Sequence, residues 1–192
     1  MTSSDQTLLP QGAKDRIAAR VGTSVDGAVG GPHPSIRVGF ACAEFNGGIT
    51  DRLVTAALDA LEESGCDPSR SIVAWAAGAF ELPLVAMRLA RSEAVDAVVC
   101  LGAVIRGDTG HYEFVAGECA SGLQRVQLDT GIPVVFGVLT TETVEQALAR
   151  SEPDETNKGR EAALTAIGTV GVLEAVSSAA SGPRVGFSVR GR

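Results

Sequence analysis

Short apolar runs of β type alternate with segments of helical periodicity along most of the chain, and this alternation restricts the possible folds most strongly. The clearest run covers residues 96–105, in which only Asp96 is charged. A strand without a polar face is typical of a parallel sheet that helices cover on both sides. Because alternating strands and helices with short connections require parallel strands and right-handed crossovers, we predict an α/β fold of three layers, α/β/α.

The predicted elements form strand–helix pairs within residues 36–176, which we interpret as one domain. Strands are predicted at 36–43, 71–77, 96–105 and 133–139. Helices are predicted from 49 to a stop at Gly65, from Pro83, at 112–128 and at 157–176, with a further short helix ending near Arg150. The sheet is therefore expected to contain four parallel strands.

Two segments are expected to lie outside the domain. Residues 1–35 are rich in Gly, Ser, Ala and Pro, and only 14–21 suggests an amphipathic helix. Such a segment lacks the apolar side chains needed to order itself, so we predict a disordered leader. Residues 177–192 are rich in Ser and Gly and carry Arg184, Arg190 and Arg192, which predicts a flexible basic tail.

Several classes of function are disfavoured by composition. The net charge of −7 argues against a nucleic-acid partner. The leader contains no apolar block typical of a signal peptide, and no apolar run reaches the roughly 20 residues of a membrane span. We therefore expect a cytoplasmic protein without a membrane partner. His33 and His111 are the only histidines, which makes a histidine-rich metal site improbable.

The four cysteines are widely spaced, contain no Cys-x-x-Cys pair and are interpreted as buried thiols. Neither a P-loop nor a Gly-x-Gly-x-x-Gly dinucleotide motif is present. These features give no sign of a bound cofactor.

Unusual residues follow each predicted strand: Phe45-Asn46, 78–81, 106–111 and Thr140-Thr141. The carboxyl ends of parallel strands meet at one edge of a sheet, where α/β proteins bind their ligands. The sequence therefore predicts a functional site at this edge.

Three kinds of side chain near that edge suit catalysis or binding. His111 can transfer protons near neutral pH, although a helix-start histidine can also be purely structural. Glu81 can accept hydrogen bonds from a ligand or simply favour a helix dipole. Phe45 and Phe136, interpreted as lying near strand ends, can stack on a planar ring or pack in the core.

An anionic ligand would need local cations. Arg150 and Lys158 lie eight residues apart, and each could bind a phosphate or form an ordinary surface ion pair. Asp108 and Thr109 can offer N–H and hydroxyl donors at a helix start. Arg106 is interpreted as structural.

At these residues the sequence resembles the 6,7-dimethyl-8-ribityllumazine synthase family. The matching segments, in the family's order, are Phe45-Asn46, 78–83 (Gly-Ala-Phe-Glu-Leu-Pro), 102–109 with His111, 133–140 and 157–159 (Asn-Lys-Gly). The resemblance covers residues 36 to about 176 and implies a flavodoxin-like fold. It also implies condensation of 5-amino-6-(D-ribitylamino)uracil with 3,4-dihydroxy-2-butanone 4-phosphate, with no cofactor or metal.

The resemblance assigns roles by position. Phe45 would stack on the pyrimidine, residues Ala79, Phe80, Glu81, Ala103, Val104 and Ile105 would hold its ring and ribityl chain, and Asp108-Thr109 would bind phosphate. His111 would be the proton donor. Phe136 and Arg150 would come from a neighbouring subunit, with Lys158 near the phosphate.

The resemblance also implies an assembly built from pentamers, in which a monomer is inactive, and riboflavin synthase as a further partner. The 151–156 connection lacks the glycine-rich kink of shell-forming members, which favours a pentamer or decamer. Two alternatives stay open at this point: an archaeal-type riboflavin synthase, which joins two lumazines, and a scaffold that binds flavin or lumazine or forms a shell without catalysis.

Overall fold

The computed structural model describes residues 12–21, 23–25 and 33–180. The strands are β1 (Val38–Ala43), β2 (Ile72–Ala76), β3 (Ala97–Ile105) and β4 (Val134–Thr141). The α-helices are α1 (Ala13–Ala18), α2 (Gly47–Glu63), α3 (Leu82–Ala90), α4 (His111–Thr130), α5 (Val144–Ala149) and α6 (Lys158–Ala180). Single 3-10 turns occur at Pro68–Arg70 and Ala79–Glu81.

The four strands form one parallel sheet in the order β2-β1-β3-β4, flanked by helices. Phe40 in β1 is in register with Val73 of β2 and Val99 of β3. The predicted three-layer, flavodoxin-like sandwich is confirmed. The predicted order of strands and helices is also confirmed, with boundaries that shift by a few residues.

The apolar core has two layers, one on each face of the sheet. One layer packs under α2 and α6 and includes Phe40, Leu53 and Ile167. The other packs under α3 and α4 and includes Leu82 and Leu123. Every residue of β3 is buried except the half-buried Ile105, as expected for a central parallel strand.

Helices α2 and α6 approach each other closely at Gly159. A Cβ atom at this position would overlap the carbonyl oxygen of Leu53 and lie 2.7 Å from the Leu53 Cα, so only glycine fits here. Asn157, which is fully buried, caps α6 because its Oδ1 accepts the N–H of Gly159 at 2.8 Å. The Asn-Lys-Gly segment therefore fixes the start of α6, and with it the backbone of Lys158.

Helix α6 differs from the sequence prediction in two ways. It continues to Ala180, so residues 177–180 of the predicted tail are helical, whereas 181–192 lie outside the described residues. Its 23 residues and mean hydropathy of 1.5 are also sufficient, by length and composition alone, to cross a membrane, which the apolar runs did not indicate. The helix packs on α2, β3 and β4 through Ala163 and Ala166, as a helix in the outer layer of a sandwich does.

The predicted leader is described only in part. Helix α1 overlaps the segment 14–21 that suggested an amphipathic helix: it begins one residue earlier, at Ala13, and ends at Ala18. Residues 1–11, 22 and 26–32 lie outside the described part of the chain. The division into leader, domain and tail therefore stays a prediction.

Candidate active site

A cavity of about 600 Å³ lies where β1, β2 and β3 end. We call it the aromatic cavity. It is lined by Phe45, Asn46, Ala77, Gly78, Ala79, Phe80, Glu81, Ala103, Val104, Ile105, Gly107, Thr109, His111, Tyr112, Phe114 and Val115. Most of the predicted site residues meet here, at the edge of the sheet where the sequence placed them.

The loop after β1 holds Phe45 at the mouth of this cavity. The backbone N–H of Phe45 donates to the carbonyl oxygen of Ala77 at 3.1 Å. Asn46 adopts the left-handed conformation with φ of 60°, and its Nδ2 donates to the carbonyl oxygen of Ala103 at 2.9 Å. The Phe45 ring is left 72% exposed, which is unusual for a large apolar side chain and suits a stacking surface.

The turn Ala79–Glu81 forms a second wall. Gly78 is extended, and its carbonyl oxygen accepts the N–H of Glu81 at 3.3 Å. Leu82, which is fully buried, anchors the turn in the core at the start of α3. As a result Phe80 and the Glu81 carboxylate stay exposed beside an apolar pocket.

His111 is the first residue of α4, as the sequence predicts. Its backbone N–H donates to the Thr109 hydroxyl at 3.4 Å, and its exposed side chain lines the cavity. Asp108 is exposed in the preceding loop but does not line the cavity. The N–H groups of the first turn of this 20-residue helix have no partner within the helix and favour an anion near Asp108 and Thr109.

A second depression of about 420 Å³ lies on the flank of the edge strand β4, and we call it the cationic groove. It is lined by Val135, Phe136, Gly137, Val138, Leu139, Thr140, Arg150, Lys158, Glu161, Ala162 and Thr165. The interpretation of Phe136 as a strand-end residue is wrong, because it lies within β4 opposite Cys100. Thr140 and Thr141 likewise belong to β4 itself rather than to a loop.

The fold brings Arg150 and Lys158 together. The backbone N–H of Lys158 donates to the carbonyl oxygen of Arg150 at 2.9 Å. The Arg150 guanidinium donates from Nη1 to the carbonyl oxygen of Gln146 at 3.0 Å. Lys158 forms an ion pair with Glu161, one turn along α6. Sequence reasoning missed Glu161, although its i,i+3 spacing from Lys158 on a predicted helix was a usable signal.

Arg106, interpreted as structural, makes several side-chain contacts. Its Nη1 pairs with Glu113 and its Nε with Glu142, the latter at 2.5 Å. The guanidinium carbon lies 4.1 Å from the centre of the Tyr112 ring. The hydrogen bonds to Glu113 and Glu142 raise the pKa of Arg106, and the hydrogen bond from Arg106 lowers the pKa of Glu113.

The cysteines are unsuited to nucleophilic catalysis. All four are free and buried. Burial raises the pKa of the Cys42 thiol to about 12 and that of Cys119 to about 11, so the reactive thiolate is scarce at neutral pH. Within residues 12–21, 23–25 and 33–180, no group of three or more His, Cys, Asp or Glu side chains could hold a metal ion.

The aromatic cavity and the cationic groove share no lining residue. The structure thus separates the predicted site residues into a ring-binding set and a set containing Phe136, Arg150 and Lys158. The expectation that the second set serves a neighbouring copy stays a prediction.

Comparison with known proteins supports the family resemblance. A family model described as 6,7-dimethyl-8-ribityllumazine synthase matches residues 35–174. A protein of that name from Edwardsiella ictaluri is 53% identical over 146 residues, covering 76% of this chain and 94% of the relative. Another from Thermus thermophilus is 53% identical over 142 residues, covering 74% of this chain and 90% of the relative.

Proposed function

Because the chain belongs to the 6,7-dimethyl-8-ribityllumazine synthase family, we propose that it condenses 5-amino-6-(D-ribitylamino)uracil with 3,4-dihydroxy-2-butanone 4-phosphate. The products are 6,7-dimethyl-8-ribityllumazine, phosphate and water. The observation that carries this proposal is the pairing, on one chain, of an aromatic cavity with a histidine at its rim and a separate groove that holds Arg150 and Lys158.

The aromatic cavity binds the pyrimidine. The exposed ring of Phe45 stacks on the heterocycle, and Ala103, Val104 and Ile105 at the end of β3 form an apolar wall. The Glu81 carboxylate accepts hydrogen bonds from the ribityl hydroxyls. Ala79 and Phe80 complete the pocket around the ribityl chain.

The chemistry requires orientation and proton transfer. The pyrimidine amine attacks the ketone, and loss of water gives an imine. Phosphate then leaves, and ring closure with loss of a second water completes the lumazine. His111 donates and accepts protons at the cavity rim during these steps. Holding both substrates in a reactive arrangement supplies much of the acceleration.

The phosphate is bound from one side by the cationic side chains of Arg150 and Lys158. From the other side it is bound by the N–H and hydroxyl donors of Asp108-Thr109. The groove and the cavity lie apart on a single chain, so a neighbouring copy completes each site. Such a contact joins two different surfaces, and it forms a closed ring when the rotation between copies closes. We propose a pentameric ring, in line with the family.

Exposed apolar side chains support assembly. Phe114 is 70% exposed, and Trp75 and Leu128 are also exposed, which leaves large apolar side chains in water on a single chain. Burial against a second copy would remove them from water. We further propose a cytoplasmic location and riboflavin synthase, which uses the lumazine product, as a partner.

The direct test is to mix the purified chain with both substrates and to follow lumazine fluorescence against a control without protein. We expect a rate well above the spontaneous one. Incubation with lumazine alone forms a second arm, in which no riboflavin is expected. No acceleration over the control would contradict the proposed synthase activity, and riboflavin formation from lumazine would contradict the assigned reaction.

A further inference from the structure

Arg106 lies at the point where β3 ends and the 107–110 loop begins. Its backbone N–H donates to the carbonyl oxygen of Thr141 at 2.9 Å, which ties this point to the end of β4. Its side chain pairs with Glu113 and packs on Tyr112, both in the first turn of α4. Arg106 thereby joins the two ends of the loop that carries Asp108 and Thr109.

The same guanidinium also reaches the segment that leads to Arg150. Its Nε pairs with Glu142 at 2.5 Å. The backbone N–H of Glu142 donates to the side-chain oxygen of Gln146 at 2.9 Å, and the carbonyl oxygen of Gln146 accepts Nη1 of Arg150 at 3.0 Å. A continuous series of polar contacts therefore connects the 107–110 loop with Arg150.

This series connects the aromatic cavity with the cationic groove on one chain. If neighbouring copies complete each other's sites, the two ends of the series belong to two adjacent sites. A rigid planar guanidinium held by two carboxylates on different segments fixes their relative placement better than a flexible ammonium does. A Lys at this position would keep the positive charge but lose the planar group that pairs with both carboxylates.

We propose that Arg106 is a positioning residue that sets both phosphate-binding elements of the chain, the 108–109 loop directly and Arg150 through Glu142 and Gln146. This inference rests on the proposed function. Arg106 does not line the cavity or the groove, so its influence on substrate binding passes through the residues that it holds.

The test uses Arg106→Gln in the full chain, with Arg125→Gln as the matched control. Arg125 also pairs with a carboxylate, that of Asp129 on α4, and its side chain is 82% exposed. It makes no contact with the residues of the Arg106 series. Inorganic phosphate serves as the probe, and its inhibition constant is measured together with KM for each substrate. Arg106→Lys and Glu142→Gln complete the set.

For Arg106→Gln we expect phosphate inhibition to weaken about tenfold, the effect of losing one hydrogen bond to a charged group. KM for the phosphorylated substrate should rise similarly, whereas KM for the pyrimidine should change less than about twofold. Arg106→Lys should recover part of the loss, and Arg125→Gln should match the wild type. Because the contacts act in series, Arg106→Gln combined with Glu142→Gln should lose less than the sum of the two single effects.

Equal rises in both KM values, or a lower unfolding temperature with unchanged KM values, would overturn the positioning role. If Arg106→Gln does not fold, Glu142→Gln carries the same test, because Arg106 then keeps its pair with Glu113. A wild-type chain without turnover would contradict the proposed function. A wild-type chain with turnover, and an Arg106→Gln variant that equals Arg125→Gln, would overturn the positioning role alone.

Discussion

The aromatic cavity and the cationic groove differ in position, shape and chemistry. The cavity is an apolar pocket of about 600 Å³ where three parallel strands end, and Phe45, Phe80 and Phe114 line it. The groove is a smaller depression of about 420 Å³ on the flank of an edge strand, and it carries Arg150 and Lys158. One surface suits a flat heterocycle and the other a phosphate. The difference supports the proposal that a reaction between two such substrates needs two copies of the chain.

The largest effect is expected at Gly159, which lets α6 pack closely on α2 and so helps to place Lys158 in the groove. Gly159→Ala would place a Cβ atom against the Leu53 backbone, 2.7 Å from its Cα, so α6 must move away from α2. We expect the free energy of unfolding, measured by denaturant titration, to fall by about 3 kcal/mol. Gly117→Ala on α4 is the control, since within the described part of the chain its new Cβ meets no atom within 4 Å beyond the adjacent helix backbone. An equally stable Gly159→Ala variant would contradict this packing.

Next in size is the loss of the Arg150 guanidinium from the groove. Arg150→Ala should raise KM for the phosphorylated substrate about tenfold to a hundredfold, because a hydrogen bond to a charged group is lost. KM for the pyrimidine should change far less. Arg125→Ala serves as a control, since Arg125 pairs with Asp129 on α4 and lines neither the cavity nor the groove. Steady-state kinetics with each substrate varied in turn measure the split, and equal losses for both substrates would contradict the role of Arg150.

A smaller loss is expected on the cavity side, at His111. His111→Ala should lower kcat about tenfold without abolishing turnover, because orientation of the substrates persists when proton transfer is impaired. KM for both substrates should stay within about twofold of the wild type. The rate of lumazine formation at saturating substrate measures this effect. A variant with unchanged kcat would remove His111 from the proton-transfer step.

The smallest effect is expected at the amino ends of the strands. There Asp96 accepts hydrogen bonds from Arg37 at 2.8, 2.9 and 3.2 Å. These bonds lower the pKa of Asp96 in the folded chain. Its stabilisation is therefore present above the unfolded-state pKa of about 3.9 and is lost as pH falls through the lower folded-state pKa. At pH 7, Asp96→Asn should cost about 1 kcal/mol.

The difference in unfolding free energy between Asp96→Asn and the wild type should shrink once the pH falls below about 4. Denaturant titrations at several pH values measure it. Catalysis at neutral pH should be unchanged, since Asp96 lines neither the cavity nor the groove. A pH-independent difference would contradict the assigned ion pair.

Much of the fold could be predicted from the sequence because it rests on local patterns. The unbroken apolar run of β3 and the helical spacing of Ile49, Leu53 and Ala57 each specify an element and the face that it buries. His111 could be placed at a helix start and at the functional edge for the same reason. Alternation of these elements then leaves few possible arrangements.

Other features depend on contacts between distant segments, which no local pattern contains. The sequence places Phe136 near a strand end, and only the sheet order shows that it lies within an exposed edge strand. Gly159 carries no sign that α2 passes beside it. The contacts of Arg106 with Glu113 and Glu142 require the known positions of three segments. The separation of cavity and groove was likewise expected only from the family resemblance.

The most direct test of a site shared between copies is recovery of activity from two impaired variants, assayed at a low concentration of the phosphorylated substrate. One variant carries Arg150→Ala in the groove, and the other carries Phe45→Ala with His111→Ala in the cavity. The two are unfolded together in equal amounts, refolded, and assayed for lumazine formation. Random assembly in a closed ring should make about a quarter of the sites intact, so activity should return to about a quarter of the wild-type value. Activity equal to the mean of the two separate variants would contradict a shared site.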